Sequence, residues 1–562
     1  MSTTTGAKYL ANTFETNGVD AVFLVPTILS KTLYEMEKCT SIKRIITHGE
    51  KAAAYMADGY ARASGRHGVV LAQTVGAANL AAGLRDPFLA CSPVLAITGG
   101  PYPWSRHRMQ YQELEDFPLF SPVTKSTAHV PDVSRLPDLL ALAMRTAVSG
   151  KPGPVHLEFP GHVGEIIEDG ELTADLPGEL SVAPRFRPQP DPRAVVRALE
   201  VLRSASRPVI VAGGGVRTSG AQAELIALAE RCNLPIATSL NAKDTVPGDH
   251  PLNIGVPGLY PRASANHVLL EADLVFFVGS QTGSQLTLNW QIPPPGTRTM
   301  HLDIDPEAIG RHYIDATPLL GDALTTLAAM LEQLGPEDTE LDRSSWLARV
   351  QELSDRWRQD VEPLLTSDDV PIRPERLVHE LTGTLPSDAL VVVDTGHAGM
   401  WAGGYLDLND ADQGFIRAAG SLGWGLPASL GAKLAQPERP VVLFTGDGGF
   451  WYHIAELETA ARWNIGTIMV VNNNRSLNQE INPYLIAYEG QLHGNHSELW
   501  HFKDIDFTAV AAAMGIRGYR VNKPSELGPT LEQAFSEGGP AVVDVATDME
   551  VLAPKGTSEP AR

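Results

Sequence analysis

"GDGGFWYHIAELETAARWNIGTIMVVNNNRS", residues 446–476, sets an acidic residue between glycines and ends in three consecutive asparagines. The run before it, "VVLFT" (441–445), is β-branched and apolar, as in a buried strand. "WYHIAELETAARW" (451–463) reads as a helix, and "GTIMVV" (466–471) as a second strand ending where the asparagines begin. A strand, helix and strand in this order form a parallel crossover, and its two strands finish at the same edge of the sheet. The asparagines therefore arrive beside Asp447. Locally, three asparagines need only mark a turn, but that leaves the aspartate unexplained. Glycines opening a helix expose backbone N–H groups that suit an anion such as a diphosphate. Asp447 repels the same anion unless a cation lies between them. A hard divalent ion such as magnesium, which takes oxygen ligands and bridges carboxylate to phosphate, resolves the conflict.

Working outward, the same alternation of short β-branched runs and helical stretches fills the chain. "AVFLV" (21–25), "GVVLAQ" (68–73), "SPVLAIT" (92–98) and "PVHLEF" (154–159) read as strands near the N-terminus, and "ALVVVDTG" (389–396) and "PAVVDVAT" (540–547) near the C-terminus. This pattern predicts α/β architecture, with doubly wound parallel sheets covered by helices on both faces. Two proline-rich, charged segments, "APRFRPQPDPR" (183–193) and "LLTSDDVPIRPER" (364–376), read as linkers. The expected domains are 1–182, 190–345 and 370–550. The middle one opens with "RPVIVAGGGVRTSG" (207–220), a strand running into a glycine turn. Such a turn either cradles a dinucleotide phosphate or simply joins strand to helix.

The chain has 562 residues, 43% of them apolar and 20% charged, the composition of a multi-domain globular protein. Its 66 acidic against 44 basic residues give a formal charge of -22, which argues against a nucleic-acid partner. Cys39, Cys91 and Cys232 lie far apart in apolar contexts, so neither a disulfide framework nor a thiolate metal site is expected. No signal-like N-terminus and no membrane-length apolar run is seen, and a cytoplasmic location is the expectation.

The opening stretch resembles the thiamine-diphosphate binding motif, in which glycine-aspartate-glycine is followed, across a helix and a strand, by paired asparagines. A second match lies in the first domain. "ITHGEKAAAYMADGYARASG" (46–65) and "QTVGAANLAAGLRDPFLACSPVLAITG" (73–99) are similar to segments of the acetolactate synthase group and its 2-oxo acid decarboxylase relatives. The resemblance covers essentially the whole chain and implies pyrimidine-binding, central and diphosphate-binding domains, in that order.

The resemblance carries roles onto particular residues. Asp447, Asn474 and the carbonyl of Ser476 become the magnesium ligands, with Gly446, Gly448 and Gly449 around the diphosphate. Glu50 becomes the catalytic carboxylate that drives the aminopyrimidine to its imino tautomer, with Asn79 nearby at the cofactor. "AAGSLGWGLPASLGAKLA" (418–435) puts Leu422 between the cofactor rings and the backbone of Gly420 by the pyrimidine, and "DTGHAGMWAGG" (394–404) gives Gly396 and His397 as a second diphosphate contact. Relatives often have histidine where this chain has Ala398. Ile28, Tyr111, Gln112, Gln479 and Glu480 are expected to face the substrate. Glu480 is read either as an acid or base or as a solvated loop charge. True acetolactate synthases retain FAD, but Gln281 and Thr282 replace the arginine-containing segment of its site, so FAD is not expected.

The implied activity makes or breaks a carbon–carbon bond next to a carbonyl, on a 2-oxo acid. A 2-hydroxyacyl-CoA lyase or benzoylformate-type decarboxylase is the alternative, and a non-catalytic cofactor-binding protein the remote one. The family also implies a homodimer or homotetramer with the active site at the subunit interface.

Overall fold

The structure, a computed structural model, describes residues 3–339 and 341–556. It contains three six-stranded, wholly parallel sheets and a two-stranded antiparallel ribbon, Thr3–Thr5 with Glu171–Thr173. The strands of the first sheet are Ala21–Leu24, Lys43–Ile46, Gly68–Ala72, Val94–Gly100, Ser126–His129 and Val155–Pro160. Those of the third are Leu390–Val393, Gly414–Arg417, Val441–Gly446, Thr467–Asn473, Arg517–Val521 and Ala541–Ala546. When each set is numbered in chain order, both sheets run 2-1-3-4-6-5. The middle sheet, built from Pro208–Ala212, Ile236–Thr238, Asn253–Gly255, Leu274–Val278, Arg298–Asp303 and Thr317–Leu320, runs 3-2-1-4-5-6, an order used by dinucleotide-binding folds. Central strands such as "VVLF" and "LVVV" are buried on both faces, as unbroken apolar runs require in a parallel sheet.

The first and third domains are locked together by equivalent helices, Glu50–Ser64 and Gly425–Ala435, each following the second strand of its sheet. They cross at glycine. A Cβ on Gly59 would lie 2.0 Å from the Ala428 carbonyl oxygen, and one on Gly431 1.9 Å from that of Met56. The absent side chains let the two backbones touch. Around the crossing, Arg62 bridges Asp58 and Asp86 at 2.7 and 3.0 Å, and Trp424 Nε1 donates to Asp58 at 2.8 Å. The buried guanidinium and its two carboxylates satisfy one another, as burial demands.

The expected domain limit at 345 falls at the start of a helix, Ser344–Leu365, rather than after the last element of the middle domain. Trp346, Val350 and Leu353 on this helix pack into the middle domain's core, and Val361 into the third's. Its length therefore occupies the start of the segment expected as a linker. The helix expected over 451–463 is also broken, into Asp447–Trp451 and Glu456–Arg462.

Candidate active site

In the third sheet, strands Leu390–Val393 and Val441–Gly446 are neighbours whose onward connections leave in opposite directions. Such a switch point opens a crevice at the carboxyl ends of the strands, where open α/β sheets take their ligands. The turn beginning at Gly396 (φ 70°) forms one wall, and Gly446 to Gly449 form the other. Gly446 faces open space, because a Cβ there would meet nothing within 4 Å. A Cβ on Gly448 would lie 2.4 Å from Leu477 Cδ2, so that side chain would have to shift to admit it. Asp394 holds the floor. Fully buried, it accepts backbone N–H bonds from Thr395, Gly423 and Gly425 at 2.7, 3.1 and 3.1 Å, and burial pushes its carboxyl up to about 6. The sequence reading assigned this aspartate no role; its signal was its place at the end of a strand just before the glycine turn.

The three asparagines part company. Asn472 accepts the Thr547 hydroxyl at 2.6 Å, and Asn473 donates to Ile505 O and Asp544 at 3.1 and 2.9 Å, so both are engaged in holding their strand. Asn474 lies past the strand end, and the Ser476 N–H reaches both its Oδ1 and Asp447 Oδ2, each at 3.1 Å. Asp447 is 2% exposed, and burial drives its carboxyl up to about 7. The buried Ser476 hydroxyl has no partner among the described residues. A desolvated carboxylate, an amide oxygen and a peptide turn form an oxygen-only donor set that fits a hard divalent cation and would relieve the buried charge.

In the first domain Glu50 opens the helix Glu50–Ser64 and is half-buried. Asn79 Nδ2 donates to its Oε2 at 3.2 Å. A Cβ on Gly76 would lie 2.4 Å from Oε1, so the carboxylate occupies space that only glycine leaves. Asp86, also of the first domain, accepts the N–H groups of Ala419 and Ser421 at 2.9 and 3.0 Å and thereby holds the segment carrying half-buried Leu422. Gly420 (φ 149°) faces open space beside it.

Three family models cover most of the chain: thiamine pyrophosphate enzyme N-terminal TPP binding domain over residues 4–119, central domain over 195–330, and C-terminal TPP binding domain over 394–545. The chain is 31% identical, over 97% of its length and 92% of the relative's, to the probable acetolactate synthase large subunit of Methanocaldococcus jannaschii. It is 30% identical to the acetolactate synthase of Arthrospira platensis, over 96% of this chain and 94% of the relative, and 30% identical to the acetolactate synthase isozyme 3 large subunit of Escherichia coli, over 96% and 93%. The chain belongs to the thiamine pyrophosphate enzyme family.

As a thiamine pyrophosphate enzyme it is thiamine-diphosphate-dependent, and the three relatives above are named for acetolactate synthase rather than for the lyase or benzoylformate-type alternative. Its substrate side differs from expectation at Ile28, which has no accessible surface and packs in the first domain's core with Leu24 and Leu29. The loop turns at Thr27 (φ 75°), which leaves Pro26 and Thr27 as its exposed residues. Tyr111 is 81% exposed, Gln112 half-buried with φ 64°, and Glu480 exposed. Gln479 comes inward, its Oε1 only 3.0 Å from where a Cβ on Gly396 would sit. His397 Nδ1 meets Asn478 Oδ1 at 2.7 Å, a partner the sequence reading missed.

The enzyme's middle domain carries a cavity of about 870 Å³ at its own switch point, shared with the first domain and bordered by Gly213 to Gly215 and Gly279 to Gly283. Gln281 and Thr282 line it and already have protein partners, Gln281 Nε2 donating to Cys91 Sγ at 3.2 Å and Thr282 meeting His312 Nδ1 at 3.0 Å. Among the described residues no helix is long and apolar enough to cross a membrane.

Proposed function

We propose that this enzyme makes or breaks a carbon–carbon bond next to the carbonyl of a 2-oxo acid, as an acetolactate synthase-like carboligase and decarboxylase using magnesium. The observation that carries this reading is the convergence of Asp447, Asn474 and the Ser476 turn at the crevice of the third sheet. When bound, thiamine diphosphate supplies a carbon nucleophile that adds to a carbonyl and holds the electrons released as the neighbouring bond breaks. Asp447, Asn474 and the Ser476 carbonyl would hold the metal, and Gly446, Gly448, Gly449, Gly396 and the backbone of His397 would receive the cofactor's diphosphate. Leu422 and Gly420 would border the cofactor's rings. Glu50 shares a proton with the pyrimidine ring nitrogen. Asn79 Nδ2 donates to Oε2 of this carboxylate, which packs over Gly76. Tyr111, Gln112, Gln479 and Glu480 line the substrate side.

Glu50 and Asp447 stand in different domains, and the partner of Glu50 is its own domain's Asn79. The reading is that one subunit's first domain meets its partner's third, so two subunits build two sites. Purified protein with magnesium and thiamine diphosphate is to be screened against a panel of 2-oxo acids, with release of carbon dioxide and formation of 2-hydroxy ketones measured. Turnover that needs both cofactors supports the reading; no turnover of any 2-oxo acid overturns it.

A further inference from the structure

The amide of Asn478 is held in one orientation. Buried at 2% exposure, it donates both N–H bonds of Nδ2 to backbone carbonyls of the C-terminal segment, Met549 O at 2.8 Å and Val551 O at 3.2 Å. The reversed amide would press its oxygen against two carbonyl oxygens. Oδ1 therefore faces His397 Nδ1, and an amide oxygen only accepts. The proton of the imidazole must sit on Nδ1, which leaves the Nε2 lone pair without a hydrogen-bond partner among the described residues. Burial pushes the ring down to about 4, so it stays neutral at physiological pH.

A lone pair attracts a donor and repels an ionised phosphate oxygen. The His397 side chain is thus unsuited to the diphosphate, although its residue opens the helix at the crevice wall. The neighbouring wall is polar too, because Gln479 Oε1 lies over Gly396. We propose that His397 Nε2, held as an acceptor by the positioning residue Asn478, selects substrates bearing a hydroxyl close to the reacting carbonyl over alkyl substrates of equal size. This rests on the functional reading above, and it adds the substrate's chemical class.

Two measurements test it with the full-length protein. The first uses ¹⁵N-histidine labelling and ring-nitrogen NMR, without substrate or cofactor. An Nδ1-protonated His397 in the native chain, turning to a mixture of tautomers in Asn478→Ala, is expected. An Nε2-protonated native ring overturns the proposal, as does an unchanged tautomer in Asn478→Ala. The second compares 3-hydroxy-2-oxopropanoate with 2-oxobutanoate, which differ by a hydroxyl in place of a methyl. The native enzyme should favour the hydroxylated acid at least ten-fold in kcat/KM, since a site built for a hydroxyl loses a hydrogen bond with the analogue. His397→Ala should abolish the preference, His397→Gln retain part of it, and both should bind thiamine diphosphate with magnesium within about two-fold of the native affinity. No preference in the native enzyme, a preference surviving in His397→Ala, or a ten-fold loss of cofactor affinity there overturns the proposal. If no 2-oxo acid is turned over, the functional reading falls and with it the substrate class. The tautomer then decides the acceptor role of His397 by itself.

Discussion

The backbone N–H of Ser476 is shared at 3.1 Å with Asp447 Oδ2, the side chain that opens the preceding crossover helix. That bond sets the end of one strand against the end of its neighbour and points a buried carboxylate at the crevice. Asp447→Ala and Asn474→Ala are each expected to abolish magnesium-dependent binding of thiamine diphosphate while leaving the circular dichroism spectrum unchanged. Calorimetric titration checks this, and undiminished affinity in both variants would remove the metal site.

The proposed division of the site between subunits predicts complementation. Glu50→Gln and Asp447→Ala proteins should each be inactive, and mixing them under conditions of subunit exchange should restore part of the activity, because one of the two heterodimer sites keeps both residues. Exchange verified by mass spectrometry without recovered activity would show that each chain builds its own site.

Gln281 and Thr282 lead to an expectation about flavin. Protein purified without added cofactors should release no stoichiometric flavin on denaturation, and FAD should not raise its activity. Visible absorbance of the supernatant is the check, and one flavin per chain is the result that contradicts it.

The stability of the fold should fall in mild acid, in part through His67. Its Nε2 donates to Met144 O at 2.8 Å, its Nδ1 is buried without a partner, and burial pushes the ring down to about 4. Between the ordinary histidine value and that one, the unfolded chain takes a proton and the folded chain does not. Stability is therefore lost as pH falls through this window, by about 2 kcal/mol at pH ~5 for one such residue. Asp394, raised to about 6, works in the opposite direction over part of the same range. The comparison is therefore of native protein with His67→Gln, by denaturant unfolding at neutral and acid pH. The acid loss should shrink by about 2 kcal/mol in the variant, and an equal loss in both would exclude the assignment.

Gly59→Ala should destabilise by about 3 kcal/mol or more, because its Cβ collides with main chain rather than with a yielding side chain. Gly383→Ala, in the last turn of a helix with open space around it, should instead stabilise by up to ~1 kcal/mol. Thermal melts of both variants give the contrast.

What could be read from the sequence follows from which strands lie inside the sheets. Runs such as "VVLF" and "LVVV" are buried on both faces and announce themselves as unbroken apolar stretches. The strands not anticipated in the first and third domains, "KRII", "STAH", "GFIR" and "RGYR", are the outer ones of each sheet, where one side lacks a neighbour and polar residues are tolerated. Asp447 and Asn474 were readable because their spacing matched a motif, whereas Asn478 and Asp394 act through backbone groups that a string of letters does not bring together. Ile28 shows the converse: its loop turns at Thr27, and the expected pocket residue points into the core.

The reciprocal contact of Gly59 and Gly431 ties two like halves together. Two sheets with one strand order, joined through the same helix of each, give the first and third domains one plan within a single polypeptide. The two halves carry different residues at matching places. In one the helix after the second strand opens with Glu50, while in the other the loop before that helix bears Leu422; the turn after the third strand holds Asp447 in one half and the small residues around Gly76 in the other. A side chain added at either glycine would press on the main chain of the other half, so neither helix is free to vary alone.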